Sequence, residues 1–302
     1  MDVYRGKGWR WFVSGLLYKA IYAPIYALIR APGVPITILI ILHSSDIHGS
    51  YRMSRVRKLK LGFKMLLNTR RIPTGSSYRA HLAAALKILE TPPDVQGDIA
   101  EFGTWKGGCA ANLSLVCRIV GRKLKVYDSF EGLPAPEPSE HMAQATAKGM
   151  FRGTLEEVKA NIRQYGAIEC CEFVEGWFKD TLPKLDSPIL LAYLDVDFES
   201  SLHTCVKHIW PKLVDRGYIF TDDYLFPDLC ALFYSEKWWW KYFNRTPPGL
   251  IGAGTGLPLG HYYIGPCPIG GWYIKQFQDP ASVAYTQKNM SGYWSYYPDD
   301  ET

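Results

Sequence analysis

The stretch Asp98-Ile99-Ala100-Glu101-Phe102-Gly103-Thr104-Trp105-Lys106-Gly107-Gly108 limits the fold more than any other part of the 302-residue chain. Ile99, Ala100 and Phe102 read as a buried strand. Gly103 is a turn residue that can take backbone angles closed to other residues. The run from Cys109 to Val120 has little polar content and reads as a helix. Free N–H groups at such a helix start, with the positive end of its dipole, favour an anionic ligand group. Gly107 and Gly108 carry no side chain, so a ligand can lie against the backbone there. Glu101, at the strand's end, favours a ligand that also bears positive charge. The spacing E-x-G-x-x-x-G-G differs from the dinucleotide fingerprint G-x-G-x-x-G. An ordinary strand-to-helix turn of an α/β protein would look the same, so the stretch needs support from the rest of the chain.

The neighbouring segments supply an α/β pattern. Ser76 or Ser77 caps a helix through about Glu90, and Thr91-Pro92-Pro93 ends it. Leu124-Lys125-Val126-Tyr127 is the next strand. Asp128 stands at its end, where an acid either holds a ribose hydroxyl pair or simply closes a turn. Thr154-Leu155-Glu156-Glu157 is a capping-box pattern opening a helix to about Tyr165. Cys171 to Val174 is a short strand, and Trp177 just beyond it either stacks on an adenine ring or packs in the core. Pro188 to Leu194 is a nearly continuous apolar run, the pattern of a central parallel strand. It ends in Asp195-Val196-Asp197. A helix from about Glu199 to Leu213 follows, then a strand from Gly217 to Thr221 that ends in Asp222-Asp223-Tyr224. Successive strands therefore carry acids at their C-terminal ends, the edge where open α/β sheets bind ligands. Crowded carboxylates repel one another and lose hydration. A hard divalent cation such as Mg²⁺ relieves that, whereas solvated turn acids would need none. Leu225 to Phe243 reads as one aromatic helix containing Trp238-Trp239-Trp240. Gly249 to Gly260 reads as a glycine-rich loop near the site, and Gly271 to Lys275 as a closing edge strand.

Charge is unevenly spread. Residues 1–71 hold 13 Lys and Arg against Asp2 and Asp46, a net +11, so the net +5 of the whole leaves −6 on the remainder. Such asymmetry points to an anionic surface partner for the basic part. Trp9 to Tyr18, Ala20 to Ile29 and Val34 to Leu42 are apolar blocks broken by Lys19, Arg30, Pro24, Pro32 and Pro35. None reaches the ~18–20 residues needed to span a bilayer. Mixed Trp, Tyr, Lys and Arg suit a segment lying in a membrane interface. A lid or a dimer helix, which would make the protein a homo-oligomer, is the alternative. From Arg52 to Arg71, basic and apolar residues alternate without any recognised nucleic-acid motif, so anionic lipid headgroups or plain solvent are the expected neighbours. Hydrophobic residues make up 47%, which excludes a disordered chain. The 7 Cys show neither a C-x-x-C pattern nor zinc spacing, which fits reduced thiols in the cytoplasm.

Several motifs occur in a telling order: Gly97 to Gly108, Asp128-Ser129-Phe130-Glu131-Gly132-Leu133-Pro134, Gly176-Trp177-Phe178-Lys179-Asp180-Thr181-Leu182-Pro183, Leu194-Asp195-Val196-Asp197 and Asp222-Asp223-Tyr224. Together they resemble the macrocin O-methyltransferase family of class I S-adenosylmethionine-dependent methyltransferases, which methylate sugar hydroxyls on macrolides. The resemblance covers about Ser76 to Tyr224 and the final strand near Trp272. It implies a Rossmann-like class I methyltransferase fold, an α/β architecture with a mostly parallel central sheet and helices on both faces. It also implies S-adenosylmethionine and Mg²⁺ as cofactors. Carried over residue by residue, Glu101, Gly103 and Trp105 would line the methionine part of the cofactor, with Thr104 and Gly107 in the same loop. Asp128 and Ser129 would hold the ribose, and Gly176 and Trp177 would border the adenine. Asp195, Asp222 and Asp223 match the metal ligands, and Asp195 also matches the catalytic base.

The chain departs from that family in its apolar and basic N-terminus and in the aromatic, glycine-rich segment 238–271. The expected organisation is an N-terminal helical extension over 1–75, a methyltransferase domain over 76–280 and a polar tail over 281–302. The acceptor is expected to be a small molecule or glycan, a lipid-linked or cell-surface glycan suiting the N-terminus better than a macrolide. No nucleic acid is expected, and the expected location is the cytoplasm, at the inner membrane surface. Asp195-Val196-Asp197 is also the D-x-D spacing of metal-dependent glycosyltransferases. A membrane-associated binding protein without catalysis is the other alternative.

Overall fold

The computed structural model describes Ile38 and residues 47–139, 146–223, 227–249 and 271–274. Its sheet has 6 strands: β1 (Asp98–Phe102), β2 (Leu124–Asp128), β3 (Cys171–Glu175), β4 (Ile189–Leu194), β5 (Leu213–Thr221) and β6 (Gly271–Ile274). The spatial order is β3-β2-β1-β4-β5-β6. All neighbours run parallel except β6, which closes the edge antiparallel to β5. This is the Rossmann-like class I methyltransferase arrangement. The order reverses between β1 and β4, and that switch point opens a crevice at the C-terminal strand ends.

Strand periodicity sends alternate residues to opposite faces. Ile99, Leu191, Tyr193 and Phe220 enter one core, shared with α1 (Arg55–Arg71), α2 (Tyr78–Glu90), α3 (Gly108–Val120) and α4 (Leu155–Tyr165). Ala100, Phe102, Ala192, Leu194 and Ile219 enter the other, against α5 (Phe178–Thr181), α6 (Glu199–Ile209), α7 (Pro227–Ala231) and α8 (Glu236–Phe243). Both faces are covered, as a mostly parallel sheet requires.

The cap residues expected from sequence are in place. Ser77 Oγ accepts from Ala80 N at the start of α2, and Thr154 Oγ1 from Glu157 N at the start of α4. Two helices are shorter than expected. The helix over 199–213 stops at Ile209, because Pro211 lies in a 3₁₀ turn and cannot donate to a continuing helix. The chain then re-enters the sheet at Leu213, so β5 begins four residues before Gly217. The helix expected over 225–243 is two helices joined by a 3₁₀ turn, and Ser235 recaps the second by accepting from Trp238 N. Trp272 lies in β6, the closing edge strand.

A buried polar network holds α1, α2 and α3 together. Asn112 Nδ2 donates to Met65 O and lies 2.9 Å from His81 Nδ1, while Asn68 Nδ2 donates to Asn112 Oδ1 and Ser76 Oγ lies 2.6 Å from His81 Nε2. Burial lowers the His81 pKa to about 3, so the ring is neutral. Among the described residues no helix is long and apolar enough to cross a membrane. Apart from Ile38, buried in the first core, residues 1–46 lie outside the described residues, as do Tyr224, most of the glycine-rich loop and the tail.

Candidate active site

Four of the five parallel strands, β1 to β4, each deliver one piece of a single cleft, while Asp222 and Asp223 at the end of β5 stand behind its wall. Its walls are Gly103, Thr104 and Trp105 after β1; Asp128 and Ser129 at the end of β2; Gly176 and Trp177 after β3; and Asp195, Val196 and Asp197 after β4. Gly132, Leu133, Pro134 and Phe151 line the side formed by the 129–153 loop, where Trp105 meets Phe151 edge-on at 5.4 Å.

The glycine turn is held by contacts that leave little room. Gly103 has φ +82°, and a Cβ there would collide with the Asp195 carbonyl oxygen. Its N–H donates to Tyr127 O at 2.9 Å, and Asp195 N–H donates to Phe102 O at 3.0 Å. The ends of β2, β1 and β4 are thus tied across the cleft floor. Asp128 braces the turn from the other side. Thr104 N–H donates to its Oδ2 and Phe130 N–H to its Oδ1, both at 2.7 Å. Burial raises the Asp128 pKa, and these amides partly offset it. The α4 helix clamps the outside of the loop through Lys106 Nζ to Glu157 Oε2 at 2.6 Å and Asn161 Nδ2 to Lys106 O at 2.9 Å.

Two expected cofactor residues stand behind the wall. Gly107 is the N-cap of α3 with φ +82°, and a Cβ there would meet Val158 Cγ1 at 3.1 Å. It shapes the loop from beneath α4. Glu101 is fully buried, with Thr104 Oγ1 donating to its Oε2 at 3.1 Å, while Oε1 has no hydrogen-bond partner among the described residues. Burial raises its pKa to about 8; the Thr104, Cys109 and Ala110 donors counter this, and Asp128 adds to it. A carboxyl so placed favours a cationic neighbour.

The acids form one cluster. Carboxylate oxygens of Asp195, Asp197 and Asp223 lie within 4.8 Å of one another. Asp223 Oδ2 accepts from Val196 N at 3.1 Å and Asp197 N at 3.0 Å, folding the 195–197 turn onto the end of β5. Asp222 lies deeper, where its Oδ1 accepts from the Tyr193 hydroxyl at 2.7 Å. Burial, then mutual repulsion among Asp222, Asp223 and Asp197, pushes Asp195 well above the usual carboxylate range. Asp197 and Asp222 rise to about 7, chiefly through burial. Asp197 is not among the ligands that the family resemblance implies, yet its carboxylate stands in the cluster, two residues from Asp195 and at φ +59°.

The macrocin O-methyltransferase (TylF) family matches residues 73–238, more than half of the chain. The chain belongs to that family. Among curated relatives, the 8-demethyl-8-(2,3-dimethoxy-α-L-rhamnosyl)-tetracenomycin-C 4′-O-methyltransferase of Streptomyces olivaceus is 34% identical over 164 residues, 48% of this chain and 63% of that protein. The demethyldecarbamoylnovobiocin O-methyltransferase of Streptomyces niveus is 32% identical over 148 residues, 45% of this chain and 56% of that protein. The chain therefore spans about three fifths of the length of the curated relatives it matches. The solved O-methyltransferase NovP superposes with a TM-score of 0.48 at 18% identity, over 82% of this chain and 99% of that one. Family membership answers the glycosyltransferase alternative: Asp195 and Asp197 lie at the sheet edge of a TylF-family domain, beside the glycine turn that a nucleotide-sugar site does not need.

Proposed function

We propose that this protein is an S-adenosylmethionine- and Mg²⁺-dependent O-methyltransferase acting on a sugar hydroxyl of a glycosylated small molecule or glycan. The observation that carries the proposal is the meeting of the β1 glycine turn with Asp195 and Asp197 in one cleft, with the Asp223 carboxylate clustered behind them. The rhamnosyl acceptor in the name of the tetracenomycin relative supports a sugar hydroxyl as the target. The charge of residues 1–71 supports a peripheral contact at the inner membrane surface.

The residues present fit both cofactors. Gly103, Thr104 and Trp105 would hold the methionine end of S-adenosylmethionine, and Glu101 behind them, ionised as a bound cation lowers its raised pKa, would balance the ligand's positive charge. Asp128 has both oxygens engaged by backbone amides, which fixes them, and each retains a lone pair for a ribose hydroxyl. Ser129 stands beside it, and Gly176 and Trp177 would border the adenine. The acid cluster offers only hard oxygen donors with raised pKa values, a donor set that suits Mg²⁺. Asp195 and Asp223 would hold the ion, joined by Asp197 and, through the oxygen that Tyr193 leaves free, Asp222.

S-Adenosylmethionine, when bound, supplies an electrophilic methyl group. Mg²⁺, when bound, supplies positive charge that lowers the pKa of an adjacent hydroxyl. Asp195, the acid nearest the glycine turn, would take the hydroxyl proton once a cation in the cluster offsets the repulsion that raises its pKa. Asp223 keeps the Asp195 turn in place through the Val196 and Asp197 amides. The Trp105–Phe151 pair narrows the cleft against water. Orienting the acceptor removes entropy from the barrier.

Calorimetric titration tests this reading without an acceptor. The native protein should bind S-adenosylmethionine and Mg²⁺. Asp195→Asn should bind the first with unchanged affinity and the second at least ~10-fold more weakly, having lost one charged ligand. A native protein that binds no S-adenosylmethionine would refute the reading.

A further inference from the structure

The helix α1 takes no part in the cleft, yet it presents an unusual surface. Its inner side is firmly attached: Leu61, Gly62, Met65, Leu66 and Asn68 are buried, and Asn68 Nδ2 donates to Asn112 Oδ1 and Tyr165 O. Its outer side exposes Val56 (60%), Phe63 (39%) and Leu67 (41%), spaced 7 and 4 residues apart and so stacked in one stripe. Arg55, Arg57, Lys60, Lys64, Arg70 and Arg71 are exposed around that stripe. The helix carries no acid, and none of these cations has a salt bridge among the described residues.

We propose that this face is a docking surface for an acidic phospholipid bilayer, met side-on by a helix that stays packed on the domain. A bilayer interface offers apolar chains and anionic headgroups in one plane, the two chemistries the face presents. Nucleic acid would answer the charges but leave Phe63 and Leu67 in water. A symmetric contact with a second copy would set two rows of cations against each other. Peeling α1 away to insert it would expose Met65 and strand the Asn68–Asn112 hydrogen bonds, so the outer face alone is the contact. The preceding sequence continues the theme, since residues 1–46 are apolar blocks broken by cations. The docking is independent of methyl transfer, because no residue of the stripe lines the cleft.

The test is co-sedimentation of the full-length protein with vesicles. Phosphatidylglycerol–phosphatidylcholine vesicles should bind it, pure phosphatidylcholine should not, and 0.5 M salt should weaken the attachment. Val56→Ser/Phe63→Ser/Leu67→Ser and Lys60→Gln/Lys64→Gln/Arg70→Gln/Arg71→Gln should each lower partitioning at least ~10-fold. S-Adenosylmethionine affinity should stay at the native value in both, which separates this test from that of the catalytic reading. Native partitioning in the triple Ser variant, as would follow if residues 1–46 covered the stripe, overturns the proposal. So does self-association in light scattering that these substitutions abolish while the protein ignores acidic vesicles.

Discussion

Replacing Gly103 by Ala should damage the site directly. A non-glycine residue at φ +82° costs about 1–2 kcal/mol. The added Cβ also strikes the Asp195 carbonyl oxygen, a backbone atom that cannot swing aside. Relief requires the ends of β1 and β4 to part, at the expense of the Asp195 N–H to Phe102 O bond, about 1 kcal/mol more. The sum, roughly 2–3 kcal/mol, corresponds to a loss of about 4–12 °C in Tm for a domain of this size. Gly107→Ala is the control. It has the same φ of +82°, but its Cβ meets a side-chain methyl, Val158 Cγ1, at 3.1 Å, with Val158 O and Ile162 Cγ1 at ordinary contact distance, so about 1–2 kcal/mol is lost and the cleft keeps its shape. Calorimetry on the folded variants should show S-adenosylmethionine affinity reduced at least ~10-fold in Gly103→Ala, as expected for a displaced cleft wall. It should stay within ~3-fold of native in Gly107→Ala. Native affinity in Gly103→Ala, or equal effects of the two, would refute the argument.

Other outcomes follow from the acid cluster and the helix network. Asp223→Asn should weaken Mg²⁺ affinity in calorimetry, with high Mg²⁺ restoring part of the turnover. Asp222→Asn should do the same more mildly, because Tyr193 already holds one of its oxygens. Protons compete with the ion for carboxyls that titrate at about 7, so Mg²⁺ affinity measured at fixed ionic strength should rise from pH 6 to pH 8. A pH-independent affinity would remove Asp197 and Asp222 from the ligand set. His81→Leu should cost about 1–3 kcal/mol in denaturant unfolding, since it strands one buried Asn112 donor, while the Ser76 hydroxyl keeps Thr74.

The parts of this molecule that depend on local pattern were legible in the sequence. The apolar strand runs, the Ser77 and Thr154 caps and the acids at the ends of β4 and β5 all lie within a few residues of the signals that reveal them. Bringing those strand ends together also follows, because a parallel sheet aligns its C-terminal edges. What the sequence hides is the backbone that bends against habit. Asp197 and Trp105 stand in the site at φ +59° and +47°, angles that no spacing in the sequence signals. Glu101 shows as a strand-end acid, but its unpartnered oxygen under Thr104 depends on three-dimensional packing. The His81–Asn112–Asn68 network joins residues 31 and 44 positions apart on three helices, and no periodicity announces it.

Methyl transfer itself is the most direct test. S-Adenosylmethionine labelled in its methyl group, incubated with the protein, Mg²⁺ and a panel of glycosides, should place the label on a sugar oxygen, read by mass spectrometry. Chelation with EDTA should abolish the transfer. Asp195→Asn should lower it at least ~100-fold, the low end for loss of a general base, with no rescue by added Mg²⁺. Full labelling in EDTA, or undiminished labelling by Asp195→Asn, would contradict the account.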